Sequence, residues 1–163
     1  IPLVAHADER GSLTEIFRKS WDARAEPLQW NLLVSNARVL RGMKMHPVHT
    51  DVVVLVTGRA LLVLRDFRHD SPTFRATESM AMEAGADAFV IPPGVGHAFY
   101  FFAASALLVG VSNYWDVDDE LGCQWSDIDV DWPDREPLVS PNDLAQPSAE
   151  ALEQFTASRS FMS

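Results

Sequence analysis

Positive charge is scarce in this chain: 13 Lys and Arg stand against 23 Asp and Glu in 163 residues, a formal net charge of −10. An acidic surface repels phosphate backbones and anionic headgroups, which argues against nucleic acid or a membrane as partner. Cysteine is nearly absent. Cys123 stands alone, so an internal disulfide and a Cys-rich zinc site are excluded. One free thiol fits a reducing cytoplasm, the expected location. No apolar run approaches the roughly 20 residues of a membrane helix. The first twenty residues lack a basic start followed by an apolar stretch, so no secretory signal is expected. Repeats and low-complexity tracts are missing too, as is helical periodicity over the middle of the chain.

What is there is an apolar fraction of 47%, arranged strand after strand. Segments 29–36, 38–45, 51–56, 60–66, 88–91, 98–102 and 105–112 are short and rich in Val, Leu and aromatics. Turn chemistry separates them: Asn36-Ala37, Thr57-Gly58, His69 to Pro72, Gly85 to Asp87 and Pro92-Pro93-Gly94. That spacing is the pattern of a β-sandwich or barrel. The unbroken apolar run 52–56 predicts a strand buried on both faces. A helix is predicted only near the end, over about 148–157, with Ser148 as N-cap and Leu152 and Phe155 docking. Segment 115–141 holds nine Asp and Glu and reads as an acid-rich arm with a solvated face, packed through Trp115, Trp125 and Trp132. The expectation is one all-β domain over 1–163, a jelly-roll double sheet with core at about 8–147.

Two segments carry the chemistry. One runs Gly42-Met43-Lys44-Met45-His46-Pro47-Val48-His49-Thr50-Asp51 and ends at Gly58; the other ends Pro92-Pro93-Gly94-Val95-Gly96-His97. Residues two apart on a strand share a face, so Lys44 and His46 project together, with Met43 and Met45 on the other side filling core. A third group, His97, meets them only if the sheet closes. Alternate members of the run Phe99 to Phe102 line the interior. These segments resemble the two signature motifs of the cupin barrels, with Lys44 at the first His position, His46 at the second, Asp51 at the acid and His97 last.

Further motifs narrow the resemblance: Asp8-Glu9-Arg10-Gly11, Gln29-x-Asn31, Val39-Leu40-Arg41-Gly42, Asp66-Phe67-Arg68-x-x-Ser71-Pro72-Thr73, Asn113-Tyr114, Glu120-x-Gly122-x-x-Trp125 and Ser140-x-x-Asp143. In this order they resemble the dTDP-4-dehydrorhamnose 3,5-epimerase family over about residues 8–147. The resemblance implies a cupin jelly-roll barrel with short terminal helices. It also implies a homodimer with an exchanged N-terminal strand, and proton transfer beside the ketone of a dTDP-4-keto-6-deoxy sugar. It places substrate-side groups at Arg10, Glu15, Gln29, Asn31, Arg41 and Trp115, and the Asp that orients the base at Asp143. Three positions depart from the family: its His base is Lys44, its Tyr acid is Val109 and its Lys is Asp51.

Val109 donates no proton. A lysine serves as base only when burial or a cationic neighbour lowers its pKa by several units from about 10.4. The expected enzyme is a divergent isomerase or epimerase of secondary metabolism. Its catalytic residues would be Lys44, Asp143, His46 and His97, its substrate a small ketone on a nucleotide-linked deoxysugar, and no cofactor is expected. Three alternatives stay open. One is a cyclase or rearrangement enzyme for a hydrophobic metabolite, with Lys44 polarising a carbonyl. A second is a metal-dependent cupin using His46, Asp51 and His97 with His49 in reserve. The third is a ligand-binding homologue in which Lys44–Asp143 is a structural pair. Cys123 has no visible base partner and reads as structural.

Overall fold

A computed structural model describes residues 1–22, 25–159 and 161. Eleven strands lie among them: β1 Ala5–Asp8, β2 Gly11–Thr14, β3 Gln29–Ser35, β4 Leu40–Met45, β5 Asp51–Thr57, β6 Arg59–Asp66, β7 Thr77–Glu83, β8 Ala88–Ile91, β9 Val95–Phe101, β10 Ser105–Val111 and β11 Leu121–Gly122. They form a hairpin β1-β2, a four-stranded sheet in the order β3-β10-β5-β8 and a five-stranded sheet in the order β11-β4-β9-β6-β7. Every named pair is antiparallel. The two large sheets stack as a jelly roll. The predicted strands 88–91 and 105–112 match β8 and β10 within a residue.

Sequence reading missed β7. Its pattern Thr-Glu-Ser-Met-Ala-Met-Glu buries only Met82 fully, so an edge position leaves little apolar signal. The hairpin β1-β2, likewise missed, is almost wholly exposed. The run 52–56 is buried as far as Leu55, but Val56 is 44% exposed because the strand leaves the sandwich there.

Two apolar clusters follow from the pleat. Val53, Leu55, Leu62, Phe99, Phe101 and Leu107 pack between the sheets. Met43, Met45, Val63, Phe67 and Ala98 point from the outer face of the five-stranded sheet, where Cys123, Ile128 and Leu152 cover them. Met43 and Met45 therefore fill core, as the two-residue period predicts. Desolvation pushes the Cys123 thiol up to about 12, which makes it inert packing.

Two helices close the chain: α1, Pro141–Leu144, and α2, Ala149–Thr156. Ser148 caps α2 by accepting from the Ala151 amide, as predicted. Leu152 docks, but Phe155 is 53% exposed and instead lies under the Arg159 guanidinium. In the arm, Trp125 and Trp132 meet edge to face with ring centroids 5.5 Å apart. Trp115 is 66% exposed, so its ring is not buried against the sandwich as expected. No helix among the described residues is long and apolar enough to cross a membrane.

Asp66 ends β6 and staples the following turn. Its carboxylate accepts from the Arg68 amide and guanidinium, from Ser71 Oγ at 2.7 Å and from Thr73 Oγ1 at 2.6 Å. This accounts physically for the Asp66-x-Arg68-x-x-Ser71-x-Thr73 spacing. Burial alone would raise the Asp66 pKa, but these donors outweigh it and hold the group well below the ordinary carboxylate range. The folded pKa is depressed, so the stabilisation is complete above the unfolded value of about 3.9 and disappears as pH falls through the folded one. Thermal unfolding followed from pH 7 to pH 2 should show stability falling below about pH 4. Asp66→Asn should be less stable than wild type by about 2 kcal/mol at pH 7 and much closer to it at pH 2.

Candidate active site

The two sheets bring complementary rows face to face. On the four-stranded sheet, Gln29, Val111 and Asp51 lie in register across β3, β10 and β5, and Asn31, Val109 and Val53 form the next row. On the five-stranded sheet, Lys44 pairs with His97, and Arg41 with Phe99, across β4 and β9. The register shifts between Arg41 and Lys44, at Gly42. There φ is +114°, and a Cβ would stand 2.5 Å from the His97 carbonyl oxygen, so only glycine fits. The Arg41-Gly42 dipeptide is thus a packing requirement for setting Lys44 beside His97.

Between the rows lies a cavity of about 390 Å³ lined by Gln29, Asn31, Arg41, Lys44, His46, His49, Asp51, His97, Trp115, Glu120 and Asp143. Leu33, Val53, Phe99, Val109 and Val111 give it an apolar wall. Its size and mixed lining suit a small organic ligand. The four residues predicted as catalytic all meet here. Of the predicted substrate-side group, Gln29, Asn31, Arg41 and Trp115 line it, Trp115 at the exposed rim. Arg10 and Glu15 do not: Arg10 pairs with Asp8 on the exposed hairpin, and Glu15 with Arg18. The hairpin lies apart from both large sheets, and that separation keeps these two residues from the cavity of their own chain.

Lys44 Nζ lies 3.1 Å from Asp143 Oδ1. The contact is an ion pair without good hydrogen-bond alignment, because Oδ1 has no directed donor. The other carboxylate oxygen accepts from Ser140 Oγ at 3.0 Å, and that hydroxyl in turn caps α1 by accepting from the Asp143 amide. The Ser140-x-x-Asp143 spacing is therefore a helix cap that aims an acid at Lys44.

Beside Lys44, starting from His97 on the neighbouring strand, lies an imidazole cluster. His46, His49 and His97 are 8%, 5% and 8% exposed, Asp51 2%. Asp51 Oδ2 lies 3.7 Å from Nε2 of both His46 and His97, and Oδ1 lies 3.4 Å from His49 Nε2. The rings of His46 and His49 stack at 3.9 Å. Burial pushes the His97 imidazole down to about 4, with only partial opposition from Asp51, so the ring is neutral at pH 7. Burial also disfavours charge on His49, but hydrogen bonds and charge from Asp51 and Asp119 outweigh it and raise its pKa. Burial opposes the Asp51 charge as well, and the surrounding imidazoles more than offset it, lowering the pKa.

Asp119 is the residue that sequence reading missed. It sits in the acid-rich arm, where most acids are exposed, yet it is 5% exposed. Its backbone carbonyl accepts from His46 Nδ1 at 2.9 Å. Its carboxylate takes His49 Nδ1 at 2.6 Å and the Val48 amide at 2.8 Å. Nothing in a run of acids marks which one folds inward.

The family model for dTDP-4-dehydrorhamnose 3,5-epimerase matches residues 1–151. A dTDP-4-dehydrorhamnose 3,5-epimerase of Streptomyces griseus is 29% identical over 92% of this chain and 81% of its own length. A dTDP-4-dehydro-6-deoxyglucose 3-epimerase of Streptomyces bikiniensis is 31% identical over 93% and 84%. Among solved structures, ChmJ, a 3'-monoepimerase from Streptomyces bikiniensis in complex with dTDP-quinovose, superposes with a TM-score of 0.87 at 30% identity, covering 95% of this chain and 85% of that one. The Mycobacterium tuberculosis rmlC epimerase gives 0.88 at 26% identity, covering 95% and 85%.

The Lys44–Asp143 pair is testable apart from any activity. Asp143→Leu leaves a half-buried ammonium without its partner and should destabilise the fold by about 3 kcal/mol in urea unfolding. Lys44→Met combined with Asp143→Leu should recover most of that loss.

Proposed function

The chain belongs to the dTDP-4-dehydrorhamnose 3,5-epimerase family, and from that premise we propose that it is an isomerase-type enzyme. Its substrate would be a dTDP-linked 4-keto-6-deoxy sugar in the cytoplasm, and its reaction proton transfer at a carbon beside the ketone. The observation that carries this reading is the Lys44–Asp143 pair on the wall of the cavity, beside His46 and His97. Deprotonation beside a ketone needs a group to handle the proton and positive charge or hydrogen-bond donors for the enolate oxygen. Lys44, the cross-strand neighbour of His97, is the cation assigned to this, and Asp143 orients it. His46 and His97 continue the same polar wall, and Asp51 faces them from the other sheet. Gln29, Asn31 and Arg41 suit the sugar and diphosphate, and Trp115 at the rim suits the base. The apolar wall around Phe99 and Val109 also supports the alternative, a rearrangement of a hydrophobic metabolite.

Proton–deuterium exchange followed by NMR separates the two readings. With dTDP-4-keto-6-deoxyglucose in heavy water, deuterium should enter at carbon 3 or 5, and Lys44→Ala should slow this by about 100- to 10,000-fold. Lys44→Arg retains the cation without an easily transferred proton. Partial activity there identifies an electrostatic role, and complete loss a proton-transfer role. No exchange by wild type would remove the epimerase reading.

We propose further that the protein works as a homodimer. Trp30, Leu32 and Val34 expose an apolar row on the outer face of edge strand β3, at 42%, 65% and 65% exposure. The hairpin bearing Arg10 pairs with neither large sheet of its own chain, which suits a strand exchanged with a second copy and delivery of Arg10 to that copy's cavity. Light scattering should give the mass of a dimer for wild type and of a monomer for Leu32→Asp. A dimeric Leu32→Asp would exclude this face as the interface.

A further inference from the structure

We propose that Lys44 acts covalently, its side-chain amine condensing with the substrate ketone to an iminium through which the neighbouring carbon loses and regains its proton. The iminium presupposes the ketone-bearing sugar of the reading above. Composition is the first support. The chain holds eleven arginines and only two lysines. Arginines make the ion pairs with Asp66, Asp134 and Glu153. Of the two lysines, Lys19 is exposed and pairs with Glu26. Lys44 lines the cavity, its side chain 20% exposed. A guanidinium keeps its proton and is no nucleophile, whereas a desolvated ammonium gives its proton up readily. Pairing with Asp143 is served by either cation; addition to a carbonyl is served only by the amine.

The acid beside it is the second support. Asp143 is buried. Its Oδ2 is held by Ser140 Oγ, while Oδ1, 3.1 Å from Lys44 Nζ, has no directed hydrogen bond. Oδ1 is thus free to take a proton from the ammonium. A ligand filling the cavity expels water, and desolvation penalises the charged pair relative to neutral amine and acid. The apolar wall is the third support. Leu33, Val53, Val109 and Val111 line the cavity from the four-stranded sheet. They offer no donor to an enolate oxygen, which is costly to leave unpaired away from water. An enamine is neutral and places no charge on oxygen.

The step balances without a co-reactant. Asp143 takes one proton from the ammonium, and the freed amine adds to the carbonyl carbon. The carbonyl oxygen gains a proton as the nitrogen loses one. The resulting hydroxyl takes the proton held by Asp143 and leaves as water, while the nitrogen lone pair closes the C=N bond. The iminium keeps the positive charge of Lys44, so Asp143 still answers it. The adjacent C–H then passes its proton to an imidazole, for which His97, the cross-strand neighbour of Lys44, is placed. The electron pair left behind forms C=C, and the C=N pair returns to nitrogen. A proton delivered to the other face inverts the carbon, and water hydrolyses the iminium to ketone and amine.

Wild-type protein is incubated at pH 7 with dTDP-4-keto-6-deoxyglucose and cyanoborohydride, which reduces iminium ions and spares ketones. Intact mass and peptide mapping then locate any secondary amine. One sugar per chain on Lys44 is expected, with activity lost in step. Lys19→Arg should be labelled as wild type, and Lys44→Arg should carry no adduct at position 44. Asp143→Asn, checked for native circular dichroism, should be labelled about 100-fold more slowly. Wild type decides the matter if the variants do not fold. Deuterium exchange at carbon 3 or 5 with no adduct on Lys44 overturns the proposal and leaves the epimerase reading standing. With neither exchange nor sugar adduct that reading falls, and trapping with acetone then decides the proposal. Label on Lys44 ahead of Lys19 supports an amine poised for another ketone; label on Lys19 alone, or none, overturns it.

Discussion

Asp119 ties the cavity together. One residue gives three acceptors: a backbone carbonyl to His46, and two carboxylate oxygens to His49 and the Val48 amide. These bonds fix the loop after β4, which carries both histidines, and fasten the acid-rich arm over the end of the sandwich. They also place a hydrogen on His46 Nδ1, because the carbonyl it faces can only accept. The strand ladders fix Asp51 and His97 independently. Asp119 brings the loop to them, and the arm is held by the same bonds.

The electrostatics of the cavity differ from those of the molecule. A net charge of −10 would repel a nucleoside diphosphate at long range, but screening limits that field to about 10 Å. Inside, near charges decide. Lys44 is answered by Asp143, Arg41 leans on neutral acceptors, and the remaining carboxylates turn to imidazoles. The lining is therefore polarised, with Arg41 and Lys44 on β4 and Asp51 facing them from β5. A substrate with an anionic end and a ketone could lie along that gradient, its apolar ring face against Phe99 and Val109.

Much of the architecture was legible because strands with one buried face show a period of two and are bounded by turn residues. β8 and β10 emerged nearly intact, and Met43 and Met45 fell on the outer face as the alternation required. The failures share a cause. The hairpin and β7 bury little on any face, so their composition resembles that of loops. Val56, Phe155 and Trp115 have the composition of core but sit where their element leaves the core. Hydrophobicity records a residue's preference, and the geometry of the element end decides whether that preference is met.

The sequence by itself determined which chemical groups are available and which are missing. Resemblance to the family implies a His base and a Tyr acid where Lys44 and Val109 stand, and spacing alone put Lys44 and His46 on one face of a strand. It also marked His97 and Asp143 as their partners through motifs in register. Only the tertiary structure decided the distances and the choice among equals. It selected Asp119 from nine neighbouring acids, kept Arg10 and Glu15 out of their own chain's cavity, and set two imidazole nitrogens 3.7 Å from one carboxylate oxygen. The reason is physical: a strand's period fixes direction within one element, whereas contact between elements depends on how two twisted sheets, a loop and an arm close on each other.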